Sequence, residues 1–113
     1  MLKIEFEGPN RNRITMTQGD SAVLKLKLRD VRNKLISLGN NDVAILSIKE
    51  QLDSPEAVLT LTADKEQQFN FAPQDTLALA CGKYVYDVRV TMADGSSYAV
   101  ISPAQFVIAK GVA

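Results

Sequence analysis

The chain has 113 residues, 46% of them apolar, with 13 acidic and 13 basic side chains. That size fits one domain, residues 1–113, with a core of its own, and the charge balance gives no electrostatic reason to expect nucleic acid or an anionic membrane as partner. The single cysteine, Cys81, leaves no internal disulfide, histidine and tryptophan are absent, and no apolar run approaches the roughly 20 residues that span a bilayer.

The start, "MLKIEFEGPN", turns to charge within three residues, too early for the apolar region of a secretory signal. "LKIEF" and "RITMT" flank the loop "EGPNRN" and read as two pieces of a first strand that join different sheets. After the turn "QGDS", the stretch "SAVLKLKLRD" puts Ala22, Leu24, Leu26 and Leu28 on one side and Lys25, Lys27 and Arg29 on the other. A period of two is the mark of a half-buried strand. Residues 30–41 lack alternation and have room for a helical turn. "DVAILSIKE" predicts a strand with Ala44, Leu46 and Ile48 inward. "AVLTLTAD" and "EQQFNFAP" predict short strands with Leu59, Leu61, Phe69 and Phe71 in the core.

"PQDTLALACG", residues 73–82, reads as a proline-started turn that crosses between sheets. The clearest strand follows: in "GKYVYDVRVTMADG", Tyr84, Tyr86, Val88, Val90 and Met92 share one face, and Asp94-Gly95 supplies the left-handed geometry of a hairpin turn. The two tyrosines are expected in the core, with Asp75 placed where sandwich folds anchor a tyrosine corner. The last stretch, "SSYAVISPAQFVIAKG", carries Tyr98 and Val100, then Phe106 and Ile108, and reads as one strand on either side of a kink at Pro103. Seven to nine short strands, with turn signals about every 8–12 residues, point to an all-β antiparallel sandwich. The split first strand and the bent last strand are its expected edges.

The chain offers little for catalysis, and a non-enzyme without cofactor is the expectation. No histidine is present to act as base or ligand, and Cys81 has no activating neighbour in sequence, so it reads as a small buried or half-buried apolar group. No P-loop, GxGxxG or HExxH occurs. Asp20, Asp30, Asp42, Asp53, Asp64, Asp75 and Asp94 fall at strand ends and loops, without the spacing of a calcium-binding loop; they read as turn formers. The basic rows, Lys25, Lys27, Lys83 and Arg89, form the candidate protein-contact surface.

Taken in order, "ITMTQGDS", "LKLKLRD", "SIK", "FAPQDT", "CGKYVYDVRVTMADG" and "VISPAQFVIAKGV" resemble a family of small phage and prophage tail proteins, among them the N-terminal domain of upper baseplate proteins from siphophages of Gram-positive hosts. The most specific parts are Thr17, Gly19, Asp20 and Ser21, and the run Gly82, Tyr84, Tyr86, Asp87 and Val88 before Asp94-Gly95. The resemblance implies an immunoglobulin-like sandwich in the virion that docks to other tail or baseplate proteins and can form a homo-oligomer. This chain departs from the pattern by ending at Ala113 without a helical stalk and by starting with "LKIEF", which favours docking over host recognition. The alternative is a small sandwich that binds a ligand or carbohydrate.

Overall fold

The computed structural model describes residues 2–5, 13–29, 32 and 34–111. Strand β1 spans Leu2–Glu5, β2 Ile14–Thr17, β3 Ala22–Lys25, β4 Leu28–Arg29, β5 Leu35–Ile36 and β6 Val43–Lys49. They are followed by β7 Leu59–Thr62, β8 Gln68–Phe71, the short helix α1 Pro73–Leu77, β9 Gly82–Thr91 and β10 Ser97–Ala109. Three strands form one sheet in the order β1-β3-β8, and five form the other in the order β2-β10-β9-β6-β7. β4 and β5 make a separate two-stranded ladder. The eight strands of the two main sheets match the expected number, and the architecture is an all-β sandwich.

The alternating residues of the sequence make its core. Ala22, Leu24 and Leu26 from one sheet meet Leu46, Ile48, Tyr86, Val88, Phe106 and Ile108 from the other, all buried. Phe106 on β10 stacks on Phe71 of β8 with ring centroids 5.9 Å apart and meets Tyr86 edge-on at 6.1 Å. These rings join the two sheets in the offset and T-shaped geometries that aromatic quadrupoles favour.

Several elements follow the sequence closely. "LKIEF" and "RITMT" do enter different sheets, as β1 and β2. Helix α1 is the proline-started crossing between β8 and β9. The β9–β10 hairpin turns on Gly95, whose φ of 92° needs no Cβ clearance; Gly95 N–H donates to the Met92 carbonyl and Met92 N–H to that of Ser96.

Others differ. The sandwich is not wholly antiparallel, because β1 runs parallel to β3 and β2 parallel to β10. The stretch 30–41 contributes β5 and turns, with no helical turn among its described residues. Asp30 and the loop "EGPNRN" lie outside the described residues.

The last strand is the largest departure. β10 is interior where residues 106–108 lie between β2 and β9. Residues 97–105 have no β2 alongside among the described residues. Across β9, β10 slips register between Ala99 and Ile101 and again between Ile101 and Ala104. Each slip adds one residue to β10, the signature of a β-bulge, and Pro103 sits in the second. The two expected strands on either side of Pro103 are one continuous strand, Ser97–Ala109, because the bulges absorb the proline without ending the ladder, and Tyr98 and Val100 are 56% and 37% exposed. Val100 is the extra residue of the first bulge, and Tyr98 stands where no β2 runs alongside.

Candidate functional site

The four basic residues do not form one surface. Lys25 ends β3 and Lys27 follows it, both half-buried on the outer side of the three-stranded sheet, while Lys83 and Arg89 stand exposed on the outer side of β9 in the other sheet. Two packed sheets, about 10 Å apart, separate the pairs. The side chain of Arg29 lies outside the described ones. Around Lys83 and Arg89 the face is mixed: Asp87 lies between them on the same strand, Val107 opposes Lys83, and Ile45 opposes Arg89. Beside the second bulge, Ser47, Lys49, Leu52, Val85, Asp87 and Pro103 border a shallow depression.

The aspartates act as turn and cap residues. Asp42 accepts the N–H groups of Gly39 at 2.7 Å and Ala93 at 2.8 Å, joining the start of β6 to the β9–β10 turn. Asp64 accepts from Glu66 N–H, Gln68 N–H and Asn70 Nδ2. Burial works to raise the Asp64 pKa, but these three donors outweigh it and leave it below the usual carboxylate value. Asp94 is lowered by the Ser96 hydroxyl and the Ser96 N–H. Asp75 caps α1 by accepting the Ala72 N–H at 2.8 Å, and so does not anchor a tyrosine. The tyrosine corner is made instead by Tyr84, whose hydroxyl donates to the Ala80 carbonyl at 2.6 Å. Among the described residues, no three His, Cys, Asp or Glu side chains gather in a metal-holding group.

Three polar residues that periodicity does not single out fasten the ends of the sandwich. Thr76 is fully buried, and its hydroxyl oxygen accepts the Gly19 N–H at 2.8 Å. Gln18 donates from Nε2 to the Leu79 carbonyl at 2.8 Å. Together they clamp α1 and its exit to the β2–β3 turn, which accounts for much of the "TQGDS" motif. Gln67 ties Leu26 to Leu38. Cys81 is exposed rather than buried; its thiol lies 3.6 Å from Gln18 Oε1. It follows the turn after α1, outside the alternation of β9, so no inward phase applies to it.

What stays open is a set of strand edges. Among the described residues, β7 and β8 each end a sheet, as do β1 and β2. On β8, Gln68 has both its main-chain groups occupied by Asp64, its carbonyl by the Asp64 N–H and its N–H by the carboxylate. On β2, Thr17 N–H donates to Asp20 Oδ2. β1 carries Lys3 and Glu5 in its sequence, and the exposed part of β10 carries two bulges and a proline. Charges, bulges and prolines are the devices that discourage edge pairing. β7, "LTLT", has none of them between Leu59 and Thr62.

No protein-family model matches the chain, and no curated protein matches it. Among solved structures, the crystal structure of CopC from Methylosinus trichosporium OB3b is similar at 17% identity, over 69% of this chain and 84% of that one, with a TM-score of 0.38.

Proposed function

We propose that this chain is a non-enzymatic docking module of a phage or prophage tail, carried in the virion and attached to other tail or baseplate proteins. The observation that carries the reading is the open β7 edge, which among the described residues has no charge or proline between Leu59 and Thr62. An unprotected edge offers main-chain donors and acceptors to an incoming strand. The two separated basic pairs, Lys25 with Lys27 and Lys83 with Arg89, favour contacts on more than one side, as a subunit inside a particle makes. The zero formal charge suits assembly at high local concentration, where long-range steering adds little.

The test is binding between this protein and the purified products of its neighbouring genes. The expected result is a complex with a tail or baseplate protein that weakens when charge or proline is introduced on an exposed edge. Neighbouring genes unrelated to virions, together with no binding among their products, contradict the reading.

A second reading, binding of a carbohydrate, is favoured by one residue. Tyr98 presents a ring that is 56% exposed on β10, and sugar faces stack on such rings. Chemical-shift changes at Tyr98 on titration with a glycan panel, lost in Tyr98→Ala, support it.

A further inference from the structure

We propose that β7 pairs with the β7 of a second copy, antiparallel, around a twofold axis at Leu61, so that the five-stranded sheets of two molecules become continuous. The inference rests on the docking reading above and names its partner at this edge.

The main-chain geometry sets which groups are available. In an antiparallel ladder alternate residue pairs exchange both hydrogen bonds, and the residues between point theirs the other way. Ala63 N–H donates to the Ala44 carbonyl. Counting back along the register, in which Leu61 faces Leu46 and Leu59 faces Ile48, the strand residues bonded to β6 are Leu59, Leu61 and Ala63, and just before the strand Val58 N–H also turns inward, donating to the Ile48 carbonyl at 2.7 Å. The N–H and C=O of Thr60 and Thr62 therefore point away from β6, along the open edge. The side chains follow the pleat: Leu59 and Leu61 pack toward the core, and Thr60 and Thr62 stand exposed on the outer face.

A second copy satisfies this edge better than an unlike strand because the edge is self-complementary. With the axis at Leu61, Thr60 faces Thr62 of the other molecule and Thr62 faces its Thr60. Each of these two pairs can exchange both main-chain hydrogen bonds, four in all. Threonines then oppose threonines on the outer face, a favourable cross-strand pair, while leucine opposes leucine on the inner one. None of the four strand residues is charged, so twofold symmetry brings no like charges together within the strand, and the zero formal charge of the chain adds no net repulsion. A strand of four residues buries far less than the roughly 1,000 Å² expected of a stable interface. The association is therefore weak, and it is populated when copies are concentrated or held side by side.

The test is sedimentation equilibrium of the full chain up to millimolar concentration, with variants chosen from the geometry. Thr60→Pro removes an outward N–H and leaves the β6 ladder intact. The double variant Thr60→Lys/Thr62→Lys places like charges opposite each other across the axis, whereas Thr60→Lys/Thr62→Glu places opposite charges there. The expected result is a weight-average mass that rises from 12.4 kDa toward twice that value for wild type and the Lys/Glu variant. Thr60→Pro and the Lys/Lys variant should stay monomeric with unchanged circular dichroism. If Thr60→Pro fails to fold, the Lys/Lys and Lys/Glu pair decides. A wild type that stays monomeric throughout, or a dimer that the Lys/Lys variant leaves intact, overturns the proposal. Binding to a tail protein that survives in the Lys/Lys variant would overturn self-pairing as the mode of attachment while leaving the docking reading standing.

Discussion

Gln67 and Leu26 are bonded twice: Leu26 N–H donates to the Gln67 carbonyl at 2.8 Å, and Gln67 Nε2 donates to the Leu26 carbonyl at 3.1 Å. Gln67 Oε1 also accepts the Leu38 N–H at 2.7 Å. To do this, Gln67 takes a φ of 60°, in the turn position that Gly95 occupies in the β9–β10 hairpin. The two turns share a hydrogen-bond pattern, with Gln67 N–H donating to the Asp64 carbonyl and Asp64 N–H to that of Gln68. A left-handed residue other than glycine costs about 1–2 kcal/mol, and the two side-chain bonds return about 1 kcal/mol each.

Gln67→Ala keeps the strain and loses both side-chain bonds, so it should destabilise by about 2 kcal/mol. Gln67→Gly loses the same bonds but releases the strain, and should be more stable than Gln67→Ala by about 1 kcal/mol. Urea unfolding of the three proteins measures both differences. Alanine equal to or better than glycine at this position would show that the turn is not strained.

The two core tyrosines should respond differently. Tyr84→Phe keeps the ring and removes the bond to the Ala80 carbonyl, for a loss of about 1 kcal/mol. Tyr86→Ala empties a fully buried site against Phe106 and should cost about 3–5 kcal/mol. Thermal unfolding of both variants checks the order; a Tyr86→Ala protein that melts with wild type would contradict its place in the core.

Stability should be flat between about pH 5 and pH 9, since no histidine titrates there. Burial raises the Tyr84 phenol above the usual tyrosine value of 10.0, with the Glu50 and Cys81 charges adding to it, and burial alone raises Tyr86 further. A raised folded pKa gives stability that is full below the unfolded value and is lost as pH climbs through the folded one. The unfolding midpoint should therefore drop above pH 10. Asp64 and Asp94 are lowered in the fold from 3.8, so their contribution is present above that value and fades as pH falls below it. Asp64 is exposed and its share is small after screening. Denaturant midpoints across the range test this; a midpoint that rises above pH 10 has the wrong sign.

Cys81 should react with a thiol reagent at the rate of an accessible cysteine without unfolding, because it is exposed. Cys81→Ser should keep the wild-type melting temperature. Reaction that occurs only in denaturant would put the thiol back inside.

The sequence makes the core strands legible because each has one wet and one dry face. Leu24, Leu46, Tyr86, Val88 and Phe106 announce their side by alternation, and all are buried. Alternation says nothing about which strands are neighbours, so the bent last strand reads as an edge although residues 106–108 lie inside the sheet. It also fails at bulges, where one extra residue shifts the phase, as at Val100. Gln67 and Thr76 were invisible for a different reason: their partners, Leu26, Leu38 and Gly19, are distant in the chain, and nothing local marks the bond. Residue type alone groups the basic side chains, but the sandwich sets Lys25 and Lys83 on opposite outer faces.

The most direct test of attachment through the β7 edge is amide hydrogen exchange by NMR at low and at high protein concentration. In dilute protein, the Leu61 amide should be protected by β6, while Thr60 and Thr62, which point outward, should exchange rapidly. At high concentration Thr60 and Thr62 should gain protection while the Leu61 amide changes little. No concentration dependence at Thr60 and Thr62, or protection that appears only at other edges, would contradict it.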